Sequence, residues 1–249
     1  MVLRRRFVAL LLGLAALAPA SMRATAKVRL IAALADPTRD GLEEDSILGW
    51  RVKVNAAFRR AQPAVVTAAL ALLEKELAAV TQSLPPQRLA QLRQAIFWLD
   101  ERVPEGPPAT RAPVFHPSPV WLMEHGLNPD MAGGIELPNA QTFLDSYSWE
   151  PAAILHELAH FYHHAVLGED NPVIREAYDH AKAAGLYQNV AHYDGKTLPA
   201  YALTNPNEFF AELTEAYFGR NDFFPFTRDE LEAYDPVGFA MVKTLWERP

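Results

Sequence analysis

The segment from Ala152 to Leu167 constrains the chain most. Ile154, Leu155, Leu158, Ala159, Phe161 and Tyr162 leave a helix there apolar on nearly every side but one narrow stripe, which holds His156, Glu157 and His160. Such a helix belongs inside a protein, and buried His and Glu side chains need partners there. His156 and His160 stand four residues apart, so both imidazoles project from one face and can converge on one ion at about 2.1 Å each. Glu157, one residue on, is turned toward the position that a water would fill. In this His-Glu-x-x-His pattern the histidines hold zinc and the glutamate is the general base. A chance match facing solvent would show a wider polar side.

Two histidines do not close a zinc site. The arrangement with Gly at 163 and a third histidine at 166 is absent, since those positions are His163 and Val166. His163 lies two turns from His156, roughly 10 Å along the axis, too far to share its ion. A better third ligand lies downstream, where Asn205-Pro206 opens a helix and places Glu208 and Glu212 one turn apart on one face. Like charges at that spacing repel, and a cation would settle both. Glu208 is then assigned as the ligand and Glu212 as the acceptor that orients a ligating histidine. An acidic, solvated first turn is the alternative on spacing alone.

With these residues in place, His156-Glu157-Leu158-Ala159-His160 followed by Tyr201-Ala202-Leu203-Thr204-Asn205-Pro206-Asn207-Glu208-Phe209-Phe210-Ala211-Glu212 resembles the gluzincin metallopeptidases of the anthrax lethal factor catalytic-domain type. The likeness spans about residues 150–220. It implies a zincin-like fold, Zn2+ on His156, His160 and Glu208, Glu157 as base, and Tyr201 giving its phenol to the reacting carbonyl. A phenol hydrogen bond there would stabilise a developing oxyanion. The chain is also similar to uncharacterised exported bacterial proteins, apparent zinc peptidases by sequence, that carry the same HELAH and NEFFAELTEAYFGRND segments. Loop 185–200 has no counterpart in the lethal factor pattern.

The N-terminus argues for export. Arg4-Arg5-Arg6 precedes an apolar run from Phe7 to Ala18, and Ala18-Pro19-Ala20 and Ala24-Thr25-Ala26 are small-residue cleavage signatures. Residues 1–26 are therefore expected to be a signal peptide, and 27–249 a single domain that is periplasmic or secreted, with no stable membrane insertion. Removing four arginines and no acid turns 23 basic against 30 acidic residues into 19 against 30, a net of −11. That balance excludes nucleic acid and anionic lipid as partners. Cysteine is absent, so any metal must be held by nitrogen and oxygen.

The remaining pattern predicts an α+β domain with a small mixed sheet, the active-site helix, and a mainly helical C-terminal half. Trp50–Val54 alternates as a strand, Pro63 opens a long helix to about Gln82, and Pro85-Pro86 ends it. A short helix at 87–94 leads to a strand at 95–99. The proline-rich stretch 103–119 reads as irregular. Ile135-Glu136-Leu137 reads as an edge strand along which an extended peptide could dock. Helices are expected at 152–167, 172–184, 205–218, 228–233 and 235–246, with 185–204 a loop. His116, His125, His163, His164, His180 and His192 read as structural or exposed. The function these features imply is hydrolysis of peptide bonds by a zinc-activated water. The rivals are a non-catalytic zinc-containing exported module that binds peptide or cell wall, and a zinc hydrolase of non-peptide amides.

Overall fold

A computed structural model describes residues 41–101 and 112–247. The expected signal peptide lies outside the described residues. The chain opens with strands β1 (Leu42–Ile47) and β2 (Trp50–Asn55), paired antiparallel around a two-residue turn. Leu48 and Gly49 both take positive φ there (51° and 94°), the backbone that matches the twist of a tight hairpin. β1 carries Glu43, Glu44 and Asp45 and is mostly exposed, so it shows no apolar period by which sequence could reveal it.

Asn55 caps helix α1 (Ala56–Ala61) through its side chain, and Pro63 begins α2 (Pro63–Ser83). α2 buries Val66, Ala69, Leu73, Leu77 and Val80, and also the carboxylate of Glu76. Helix α3 (Pro86–Leu92) leads into β3 (Ile96–Leu99), which lies parallel to β2. A fourth strand, β4 (Val114–His116), falls inside the stretch expected to be irregular. Prolines at 113 and 117 hide it from a pattern reading, yet an edge strand tolerates prolines that owe the sheet no N–H.

After α4 (Pro119–Glu124) comes β5 (Gly134–Leu137), parallel to β3 and antiparallel to β4. The sheet order is β1-β2-β3-β5-β4. This corrects one expectation: the strand holding Glu136 is internal and β4 is the edge. Glu136 is buried and paired with His116, Nε2 to Oε2 2.8 Å, so it meets no docking peptide. Val52, Val54, Phe97, Leu99, Ile135 and Leu137 turn the sheet's apolar face to the main core.

Helix α5 (Ala140–Ser146) precedes α6 (Ala153–Tyr162), which continues as a π turn over His163–Leu167 and stops at Gly168 with φ 84°. Then follow α7 (Pro172–Ala183), a small hairpin of β6 (Val190–Ala191) and β7 (Thr197–Leu198), and a 3-10 turn at Tyr201–Leu203. The helices α8 (Pro206–Phe218), α9 (Arg228–Tyr234) and α10 (Pro236–Glu247) finish the described chain. The fold is thus α+β, with a five-stranded mixed sheet followed by a largely helical half. No helix among the described residues is long and apolar enough to cross a membrane.

Candidate metal centre

Two helices build the site, and their sequences explain why they meet. α6 buries Ile154, Leu155, Leu158, Ala159, Phe161 and Tyr162 around its circumference. α8 buries Phe209, Phe210, Ala211, Leu213 and Ala216 against it. Close packing of two apolar helices leaves their few polar residues facing one another. The start of α8 is fixed by Asn205, whose Oδ1 accepts the Asn207 and Glu208 amides at 2.8 and 3.0 Å. The start of α6 has no capping side chain of its own. Instead Glu76, reaching across from α2, accepts the Ile154 N–H at 3.1 Å.

Three atoms converge in the seam. His156 Nε2 and His160 Nε2 are 3.0 Å apart, and each is 3.1 Å from Glu208 Oε2. Three ligands around one tetrahedral zinc, each about 2.1 Å from it, would stand about 3.4 Å from one another. The triad already has nearly that spacing. His156, His160 and Glu208, assigned from sequence, are therefore brought together, 48 to 52 residues apart in the chain.

Behind His156, the structure corrects the orienting acceptor. Its Nδ1 lies 2.6 Å from Glu215 Oε1 and 3.8 Å from Glu212 Oε1. Glu215 holds the ring, and Glu212 stands beside it. Residues 208, 212 and 215 share one helical stripe, so spacing marks all three acids but does not say which of them meets Nδ1. With Nδ1–H donated to Glu215, a neutral His156 turns an unprotonated Nε2 toward another imidazole nitrogen and a carboxylate oxygen. Such a convergence of lone pairs calls for a cation.

The electrostatics agree. Burial opposes a charge on His156, but the carboxylates of Glu208 and Glu215 outweigh it and push its pKa well above that of a free imidazole. Burial likewise works against Glu208, yet the two histidines win and hold its carboxyl well below the usual range. Burial raises Glu157 and Glu212, and takes Glu215 and Glu150 to about 7. Among the described residues the cleft wall contains four histidines and six acids, and neither lysine nor arginine. The donor set, two imidazoles and one carboxylate with an outer carboxylate on Nδ1, fits a divalent metal such as zinc.

A second set, His156 with Glu212 and Glu215, also brings ligand atoms close together. The 2.6 Å contact within it is a hydrogen bond, and the same imidazole serves the first set through Nε2. The first set could hold an ion, and the second would then support the ring that holds it.

Glu157 sits at the cleft side of α6, where Oε2 accepts the Phe115 N–H of edge strand β4 at 2.7 Å. Tyr201 stands on the 3-10 turn, about half exposed, held by Tyr178 Oη donating to the Leu203 carbonyl at 2.8 Å. Its phenol reaches the Glu208 carboxylate, and burial together with that charge raises its pKa. Both residues line the same cavity as the triad, a cleft of about 930 Å³. His163, read as structural, is buried against Phe210 at 5.6 Å. Burial and the neighbouring His160 lower its pKa to about 4, so it is a neutral ring.

Neither a family model nor a curated protein nor a solved structure matches the chain.

Proposed function

We propose that this protein is a zinc-dependent peptidase with a zincin-like fold. The observation that carries the reading is the convergence of His156, His160 and Glu208 within 3.1 Å, beside a glutamate that ligates nothing and a tyrosine across the cleft. Zinc in such a site acts as a Lewis acid and lowers the pKa of water. Glu157 takes the proton from the attacking water and passes it to the departing amide nitrogen. The neighbouring histidines and the Phe115 amide counter part of the burial that raises the pKa of Glu157. Tyr201 Oη donates to the carbonyl oxygen as negative charge develops on it. Glu215 holds His156 in the tautomer that leaves Nε2 free. The edge strand β4 supplies a wall for an extended substrate.

The test joins metal content to turnover. One zinc per chain is expected in the protein, with zinc lost on Glu208→Ala. Glu157→Gln is expected to retain zinc and lose at least about 10³-fold in kcat on any cleaved peptide. Full activity in Glu157→Gln, or full zinc affinity in Glu208→Ala, would overturn the assignment. Zinc binding with no turnover on any peptide would leave the protein a zinc-containing binding module.

A further inference from the structure

The cleft is one-sided in charge. Among the described residues it is lined by Glu150, Glu157, Glu169, Glu208, Glu212 and Asp222, and by no basic side chain other than histidine. Even a bound zinc would balance only Glu157 and Glu208.

Its strand wall is equally one-sided in hydrogen bonding. The His116 carbonyl accepts the Gly133 amide at 2.8 Å, so Val114 and His116 turn their peptide groups toward β5 and Phe115 turns its own toward the cleft. The Phe115 N–H is already given to Glu157. Pro113 and Pro117, on either side, have no N–H. From 113 to 117 the edge offers carbonyl acceptors and not one free donor. An ordinary strand-to-strand ladder needs donors from both partners, so a substrate here must bring them.

One end of the cleft shows where positive charge is wanted. Glu212 is 4 % exposed and lines the cleft, and its Oε2 has no hydrogen-bond partner among the described residues. Asp222 lies near enough for its charge to raise the pKa of both Glu150 and Glu212. Asp222 keeps His192 Nε2 at 3.5 Å. Beside them, Trp149 and Tyr193, both partly exposed, stack at 5.6 Å and 14°. The Tyr193 amide is anchored to the Asp222 carbonyl at 2.8 Å.

A metal ion does not explain this end, because Glu150 and Asp222 belong to neither set of converging ligand atoms among the described residues. Carboxylates at this end of the cleft, with an aromatic stack on the residues next to them, suit a larger, softer cation, which can pair with the acids and lie over a ring face.

We propose that the cleft selects its peptides by an organic cation, an ammonium or guanidinium seated against Glu150 and Asp222 beside the Trp149–Tyr193 stack, while substrate N–H groups donate to the carbonyls of the Pro113–Pro117 edge. This rests on the peptidase reading and names its substrate class. Two sources fit the chemistry, an Arg or Lys side chain and a free α-amino terminus.

The experiment uses the zinc-loaded protein and quenched-fluorescence peptides that differ at one residue, placed in turn on each side of the scissile bond: arginine, citrulline or glutamate. Each is made with a free and an acetylated N-terminus. Both kcat/KM and binding anisotropy are measured, and salt is varied. The arginine or free-amine peptides are expected to exceed citrulline, or acetylated, partners by about tenfold, and glutamate peptides by more, with the advantage shrinking as salt rises. The joint variant Glu150→Gln/Asp222→Asn should bring the arginine-to-citrulline ratio close to one. Preference surviving acetylation assigns the cation to a side chain; preference lost on acetylation assigns it to the terminus. Equal cleavage of all peptides would overturn the inference and leave the peptidase reading intact. If no peptide is cleaved, the peptidase reading fails, and equal binding of arginine and citrulline peptides would then overturn the inference separately.

Discussion

Two buried histidine–carboxylate pairs in this molecule look alike on paper and differ in what they can do. In the sheet, His116 Nε2 meets Glu136 Oε2 at 2.8 Å, with the imidazole stacked on Trp121 at 6.0 Å. Between the helices, His156 Nδ1 meets Glu215 Oε1 at 2.6 Å. All four residues are under a tenth exposed. The sheet pair uses Nε2 for its carboxylate. The helical pair uses Nδ1 and so turns Nε2 outward, where His160 and Glu208 converge on it. The pairing of a histidine with an acid therefore carries little functional information by itself. What distinguishes a metal-holding imidazole is the nitrogen left over and what it faces.

The sharpest way to break this comparison is to delete each histidine. His156→Ala should lower zinc affinity on the order of a thousandfold, because it removes a ligand from a three-residue site. His116→Ala should leave zinc affinity within about twofold and instead lower Tm by about 5 °C or more, since it takes the imidazole away from a buried carboxylate. Competition with a chelating dye and a thermal melt on both variants decide it. Equal losses of zinc would mean that the sheet pair supports the site and the contrast is false.

A finer cut separates the carboxylates. Glu215→Gln should weaken zinc about 10- to 100-fold by loosening the ring of His156. Glu136→Gln should leave it unchanged, and Glu212→Gln, whose carboxylate is 3.8 Å from Nδ1, should cost less than Glu215→Gln. Reversed ranks for Glu212 and Glu215 would restore the assignment made from spacing.

How far the sequence could be read follows the same division. Helix α6 and its polar stripe of His156, Glu157 and His160 were legible because such a stripe on an otherwise apolar helix has few other uses. The Asn205-Pro206 cap and the expected start at Pro172 placed the following helices to within a residue. Glu215 was missed because three acids on one face of α8 are equivalent until the rotation of the helix against α6 is known. β1 and β4 were missed for opposite reasons: one is charged and exposed, the other is three residues between prolines. Strand order is a matter of long-range pairing, so the internal position of Glu136 could not be read from its local pattern. Nor could the bond from Glu76 to α6, which spans 78 residues of chain.

Glu76 gives the smallest effect and the cleanest sign. It is 5 % exposed, its Oε2 caps the Ile154 amide, and Oε1 has no partner among the described residues. Burial, with the charges of Glu150 and Glu215 adding to it, raises its pKa from 4.5 to about 8. Below pH 4.5 the folded and unfolded chains both carry the proton, and the group contributes no slope. Between 4.5 and about 8 the folded chain holds more proton than the unfolded one, so stability falls as pH rises. Glu76→Gln keeps an oxygen for the Ile154 N–H and removes the titration. Relative to the parent, the variant should therefore gain unfolding free energy progressively between pH 5 and pH 8 in the metal-free protein, read by denaturant titration at each pH. A difference that stays flat across that window would show that Glu76 is not proton-loaded. The load on the acids behind His156 would then have to lie with Glu150, Glu212 and Glu215 alone, and the helical pair would differ from the sheet pair only in the direction of its free nitrogen.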